Sequence, residues 1–179
     1  MLCGVYLRQT AGFTMFTLNA SNIYQFLGLN YANISPMVTG ILSLIAVLIA
    51  TWILVIFRKN YSKDLILKLS LLFALILPFL MPKMHERYFF LADILSFAYV
   101  IYYGLKRWHI HILVVLASFF AYSHYLFDIY EKLFSNIILE VMNLQTMALF
   151  NLLALILVCV DVHKEYTRSI MKGHRFENI

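Results

Sequence analysis

Residues 36–57 read PMVTGILSLIAVLIATWILVIF and contain no ionisable side chain. A helix needs about 20 mainly apolar residues to cross the hydrocarbon core of a bilayer, and this run is long enough. Pro36 suits the first turn of a helix, where its missing N–H costs nothing, and the basic pair Arg58 and Lys59 ends the run. The segment therefore predicts a transmembrane helix.

The composition of the whole chain favours the same class of protein. Hydrophobic residues make up 63% of the 179 residues and charged residues 13%, and the mean hydropathy is +0.81. Soluble domains are less apolar and carry about twice that charged share. The formal charge of +5 does not indicate nucleic acid as a partner, because the basic residues fall in short loops and form no continuous stripe. We expect an integral membrane protein whose partner is the lipid bilayer.

Four further apolar runs follow the first along the chain and predict four more spans. They cover about residues 65–81, 88–105, 108–127 and 144–160. The predicted fold is therefore all-α, a polytopic transmembrane helix bundle of about five spans. Between the last two spans, apolar residues recur at helical spacing over 130–143, which predicts an extracytoplasmic helix lying in the interface. An extension of the fifth span is the alternative interpretation of that segment.

The basic residues set the expected orientation, because short cytoplasmic loops carry an excess of Lys and Arg. Ten of them lie in the loops after the first and third spans and after the fifth, and four lie in the alternate segments. This split predicts three regions: an extracytoplasmic N-terminal segment (1–35), a transmembrane bundle (36–160) and a cytoplasmic tail (161–179) with a frayed end. Within the first region, residues 21–28 predict a short helix with Ser21 as its N-cap and Gly28 closing it.

An ionisable cluster, KMHER at residues 83–87, lies on the extracytoplasmic side between the second and third spans. Charge is costly at membrane depth, so such a cluster is a functional-site hypothesis. Arg87 carries a planar fork that matches phosphate oxygens, and Lys83 adds a point charge nearby. His85 or Glu86 could act as an acid or a base, or hold Arg87 in place. A structural ion-pair network that only fixes the hairpin is the alternative.

Three more ionisable side chains are candidates for the same pocket. A helix that begins near Glu86 places four residues on one stripe: Glu86, Phe90, Asp93 and Phe97. Asp93 then faces the bundle or a wet cavity about two turns into the membrane. His124 and Asp128 are four residues apart and share a face near the outer end of the fourth span. We expect Asp93, His124 and Asp128 to converge with residues 85–87. The sequence predicts no metal site and no required cofactor.

Two stretches carry a resemblance to a known family. Residues 82–90, PKMHERYFF, followed by Asp93, resemble the Met-His-Glu-Arg-Tyr signature near the C-terminal end of many GT-C type integral membrane glycosyltransferases. Residues 18–24, LNASNIY, are similar to the Asn-Ala-Pro-Asn-aromatic element that often precedes it, with Ser21 in place of Pro. The resemblance implies an enzyme that moves a sugar, often mannose or another hexose, from a polyprenyl-phosphate carrier to an acceptor outside the cytoplasm.

The resemblance also implies roles for individual residues. His85 and Glu86 would be catalytic, and Arg87 with Lys83 would bind the donor phosphate, on the outer face of a membrane expected to be the bacterial inner membrane. Some branches of the family use a divalent metal. GT-C enzymes usually have eight or more spans and a catalytic acid in their first external loop, whereas residues 1–35 contain no acid. We therefore expect this chain to correspond to the C-terminal part of such an enzyme, completed by a missing N-terminal catalytic half or a partner subunit.

Two other function classes remain open on the sequence. A non-enzymatic accessory or flippase-like module would handle lipid-linked precursors without transferring sugar. A small transporter would use Asp93 and His124 as a proton relay.

Overall fold

The computed structural model describes residues 14–29, 32–57, 62–126 and 143–177, with only the backbone described for 123–126 and 169–177. Within these ranges the chain is all-helical, as predicted, and contains no strand. The helices are α1 (Ile23–Phe26), α2 (Pro36–Phe57), α3 (Lys63–Leu80), α4 (Phe90–Tyr103), α5 (Trp108–Leu126) and α6 (Leu144–Glu177). Short 3-10 turns, Glu86–Phe89 and Leu105–Arg107, lead into α4 and α5.

Among the described residues, two segments are long and apolar enough to cross a membrane, judged by length and composition: α2 and residues Leu144–Arg168 of α6. The bounds of α2 coincide with the uncharged run at 36–57, and the predicted span at 144–160 lies within α6. The other three predicted spans coincide with α3, α4 and α5, whose described residues do not meet the same criterion. The first two turns of α3 contain three ionisable residues, and α4 has 14 residues, a length of about 21 Å at 1.5 Å per residue.

Helix α3 lies at the centre of the described bundle. Its buried face includes Leu65, Leu71 and Leu75, each with at most 1% of its surface exposed, and it packs against α2, α4 and α6. Helix α2 is attached differently, because Ala46 is its one buried residue and its large apolar side chains are mostly exposed. The contact of α2 with the core comes from Ile49, Ile53 and Phe57 in its second half.

The N-terminal segment packs on one end of this bundle through α1. The N-cap of α1 is Asn22 and not the predicted Ser21, because the Asn22 side chain accepts hydrogen bonds from the backbone N–H groups of Tyr24 and Gln25. Gly28 follows the helix with a φ of +72°, the left-handed conformation expected of a closing glycine. The Tyr24 hydroxyl donates to the carbonyl of Leu80 at 2.7 Å, which satisfies one of the free carbonyls at the end of α3.

Helix α6 differs from the sequence expectation at its C-terminal end. The sequence predicts a frayed tail from residue 161, but the helix continues to Glu177. On this continuation, Asp161 pairs with Arg107 of the 3-10 turn and Glu165 pairs with Lys68 of α3. The predicted interfacial helix at 130–143 lies almost wholly outside the described residues.

Candidate functional site

The loop between α3 and α4 carries the ionisable cluster and pairs with the N-terminal segment. The backbone N–H of Leu18 donates to the carbonyl of Met84 at 3.0 Å, and the N–H of Lys83 donates to the carbonyl of Phe16 at 2.7 Å. Isolated β-bridges join Leu18 and its neighbour Asn19 to His85. The pairing therefore brings residues 18–24 beside the cluster, although the two stretches are far apart in the sequence.

Two residues of this junction have a left-handed backbone. Asn19 has a φ of 59° and Lys83 a φ of 58°. This conformation is uncommon outside glycine, although asparagine tolerates it better than most residues, and at lysine it stores backbone strain. The hydrogen bond from the Lys83 N–H is one of the contacts that hold the strained turn in place. The chain thus bends sharply just before His85.

The cluster places its side chains at different depths. His85 Nδ1 lies 3.9 Å from Glu86 Oε2, with 27% and 11% of the two side chains exposed. Arg87 is exposed, and among the described side chains no carboxylate lies within ion-pair distance of its guanidinium. The alternative in which Arg87 only pairs with Glu86 or Asp93 is therefore not the arrangement that forms. Arg87 is available to an anion.

The surroundings of His85 favour its neutral form. Partial burial is the main cause that lowers the pKa of its imidazole, and the neighbouring Arg87 guanidinium lowers it further, while Glu86 acts in the opposite direction. An uncharged imidazole can accept a proton or a hydrogen bond.

Asp93 lies on the same side of the bundle as Glu86 and Arg87. Tyr122, one turn beyond Ser118 on α5, is within electrostatic range of all three. Ser118 lies beside Asp93, yet neither the Ser118 hydroxyl nor Asp93 Oδ1 has a hydrogen-bond partner among the described residues. Sequence reasoning missed Ser118 and Tyr122, since neither polar residue stands out within an apolar run.

The predicted stripe of Glu86, Phe90, Asp93 and Phe97 lies only partly in the bundle interior. Phe90 and Phe97 are 59% and 55% exposed. The buried face of the helix is formed instead by Ala92, Ser96 and Tyr99. The two phenylalanines of the stripe therefore lie outside the bundle interior, which small residues and the hydrogen-bonded Tyr99 fill.

The remaining predicted pocket residues are not placed by the structure. His124 belongs to α5, but only its backbone is described. Asp128 lies outside the described residues. The expected convergence of His124 and Asp128 with residues 85–87 stays a prediction.

A second group of charges, which sequence reasoning missed, lies at the other end of the bundle. Asp161, only 2% exposed, accepts a hydrogen bond from the Tyr99 hydroxyl at 2.7 Å and pairs with Arg107 at 2.9 Å. Lys68 pairs with Glu165 at 2.7 Å. We call these five residues the ion-pair network. The one signal in the sequence was the four-residue spacing of Asp161 and Glu165, which places both on one face of a helix.

The described part of the chain is all-helical, with two segments long and apolar enough to cross a membrane and an ionisable cluster in a loop at one end. Within the described residues, no group of three or more His, Cys, Asp or Glu side chains could hold a metal ion. No family model, curated protein or solved structure matches the chain.

Proposed function

We propose that this chain is the C-terminal membrane portion of a GT-C type glycosyltransferase. It would transfer a hexose such as mannose from a polyprenyl-phosphate donor to an extracytoplasmic acceptor. The observation that carries the proposal is the pairing of Leu18 and Asn19 with His85. Both stretches that resemble the family meet in one place, and a shared site gives a reason for that meeting.

The proposed arrangement is a bundle of about five spans in the bacterial inner membrane, with the N-terminus outside and the C-terminus in the cytoplasm. Large apolar side chains on several helices support it, since Trp52 on α2, Ile101 on α4 and Phe119 on α5 are each more than half exposed. Exposed apolar side chains on several helices need a covering, and lipid tails supply one. Helix α4 and the 3-10 turn before it together cover residues 86–103, close to the length of a span.

The charges of the cluster fit sugar transfer from a phosphate. A bond forms between the acceptor oxygen and the anomeric carbon, while the bond from that carbon to the phosphate oxygen breaks. The electron pair stays on the departing polyprenyl phosphate, where Arg87 and Lys83 stabilise its charge. The proton of the acceptor hydroxyl passes to His85 or Glu86, and the neutral imidazole is suited to accept it.

The proposed enzyme needs a catalytic carboxylate from outside residues 1–35. Residues 1–35 contain no acid, so a catalytic carboxylate of the kind found in the first external loop of the family would come from an N-terminal half or a partner subunit. Any divalent metal would be held with the help of that component. The same absence of an acid favours the second candidate, a non-enzymatic accessory or flippase-like module. Sugar transfer by a separate catalytic subunit without this chain would support that candidate.

Binding of the carrier tests the proposed function directly. We expect the purified chain in lipid nanodiscs to bind a polyprenyl phosphate and not the uncharged polyprenol of the same length, because Arg87 recognises the phosphate. Microscale thermophoresis with both lipids measures the difference. Equal affinity for the two lipids, or no binding of either, contradicts the proposed function.

Reporter fusions test the orientation. A reporter fused after Arg87 is expected to behave as extracytoplasmic and one fused after Arg107 as cytoplasmic, because the loop charges favour that arrangement. Alkaline phosphatase is active only outside the cytoplasm and green fluorescent protein only inside, so the pair gives opposite signals. The reverse pattern would place the cluster on the wrong side for an extracytoplasmic acceptor.

A further inference from the structure

Four buried polar atoms lie close to one another at α1 and α6. Two belong to the N-cap of α1 and the residue before it, one to α1 itself and one to α6. Their residues are at most 5% exposed, and none of the four atoms has a partner among the described residues. We call this group the amide cluster, and it consists of Ser21 Oγ, Asn22 Nδ2, Gln25 Oε1 and Asn151 Oδ1.

Hydrogen bonds fix which atoms of the amide cluster remain unpaired. Asn151 donates through Nδ2 to the carbonyl of Ser21 at 3.0 Å, so its Oδ1 is the atom left over. Asn22 accepts two backbone N–H groups through Oδ1, so its Nδ2 is left over. The first bond also joins α6 directly to the segment before α1. The cluster is therefore a built feature of the fold and not a set of isolated side chains.

An unpaired buried polar group destabilises a folded protein, because it has given up water without gaining a partner. Natural proteins keep few such groups, and each is explained by a functional role, a bound water or a bound ion. Four such groups on adjoining elements need a common explanation, and a bound ligand supplies one.

The chemistry of the amide cluster selects an uncharged ligand that both donates and accepts hydrogen bonds. Asn22 Nδ2 offers a donor, Asn151 Oδ1 offers an acceptor, and the Ser21 hydroxyl can do either. The cluster contains no charged side chain, and the unpaired oxygen of Asn151 would repel a phosphate or carboxylate. Hydroxyl groups match the set, because each hydroxyl is at once a donor and an acceptor.

We propose that the amide cluster binds the sugar hydroxyls of the lipid-linked donor. The inference rests on the proposed function and extends it, since the cluster and residues 83–87 would hold two ends of one molecule. Asn19 pairs with His85, and Ser21 follows only two residues later, a chain distance of at most about 7 Å. A hexose and its phosphate are separated by a similar length.

The amide cluster is closed to solvent, so sugar entry requires the N-terminal segment to move. Two backbone hydrogen bonds hold this segment to the loop at Lys83 and Met84, and the Asn151 amide and the Tyr24 hydroxyl hold it to α6 and to the end of α3. These contacts would have to open for the segment to move. Binding of the donor would then replace them with contacts to the sugar.

The test compares a polyprenyl phosphate with the same lipid carrying mannose, using the chain in nanodiscs. We expect the mannosylated lipid to bind about 10-fold more tightly, and Gln25→Met to remove that difference while leaving affinity for the unglycosylated lipid unchanged. Gln25→Met should also raise or preserve the thermal unfolding midpoint, because it replaces an unpaired buried amide with an apolar side chain of similar size. Thr167→Met, an exposed and uncharged polar position on α6 far from the N-terminal segment, is the control and should change neither quantity.

The possible outcomes separate this inference from the proposed function. If neither lipid binds, the proposed function fails. If both bind equally well, the sugar subsite fails and the phosphate site stands. A large fall in the unfolding midpoint of Gln25→Met would make the cluster purely structural and overturn the inference. Methyl mannoside that binds as tightly as the mannosylated lipid would assign the cluster to a free sugar instead of the donor.

Discussion

Arg87→Ala is expected to weaken binding of polyprenyl phosphate by about 100-fold and, in the completed enzyme, to abolish sugar transfer. Arg87 is exposed at the end of the bundle with no carboxylate in ion-pair distance among the described side chains. A guanidinium can donate two parallel hydrogen bonds to a phosphate, and that contact is lost entirely with alanine. Because the side chain is not part of the interior, membrane insertion and the thermal unfolding midpoint should stay at the wild-type value.

Two further variants separate the charge of Arg87 from its geometry and from charge elsewhere in the chain. Arg87→Lys keeps the positive charge but loses the planar fork, so we expect a smaller loss of about 10-fold. Lys106→Ala removes an exposed positive charge at the other end of the bundle and should leave lipid binding unchanged. Wild-type affinity in Arg87→Ala, or an equal loss in Lys106→Ala, would show that the phosphate is not held at this cluster.

Arg107→Leu is expected to destabilise the fold by about 3 kcal/mol or more, the largest effect on stability that we predict. Its partner Asp161 is only 2% exposed, so removal of Arg107 leaves a buried carboxylate without its counter-charge. The hydrogen bond from the Tyr99 hydroxyl remains but does not neutralise it. Denaturant unfolding in a mild detergent, followed by the fluorescence of Trp52 and Trp108, measures the loss.

Replacement of the acidic partner, Asp161, should destabilise the fold less than replacement of Arg107. In Asp161→Asn the remaining Arg107 is 38% exposed and can be hydrated, and the new amide oxygen can still accept the Tyr99 hydroxyl. We expect a loss of about 1 kcal/mol. Lys164→Ala, an exposed position on the same helix, is the control and should change stability by less than about 0.5 kcal/mol. A larger loss in Asp161→Asn than in Arg107→Leu would contradict this account.

The sequence predicted those elements whose signals are local. An uncharged run between Pro36 and a basic pair fixes both ends of α2, because its composition changes abruptly at each end. A helical start near Glu86 was also visible in the sequence, although in the structure that start is a 3-10 turn, Glu86–Phe89. The N-cap of α1 was displaced by one residue, since Ser21 and Asn22 are both good caps and local sequence does not rank them. In the structure Asn22 binds two N–H groups and Ser21 none.

Contacts between distant residues could not be predicted in the same way. Arg107 and Asp161 lie on different elements, and the sequence alone does not give the rotation of α6 that turns Asp161 toward Arg107. The sequence also did not indicate that the helix continues past residue 161, because a polar residue at the end of an apolar run usually marks an exit from the membrane. The pairing of Asn19 with His85 is also non-local, and a family resemblance placed both stretches in one protein without indicating that they touch.

The unbroken course of α6 makes it a mechanical link between two remote regions. Asn151 contacts the N-terminal segment and Asp161 contacts Arg107, and ten residues of helix separate them by about 15 Å. A rigid rod transmits a slide or a twist along its whole length, so an event that pulls Asn151 away from Ser21 also strains the contact at Arg107. Binding at the amide cluster would in this way be felt at the ion-pair network.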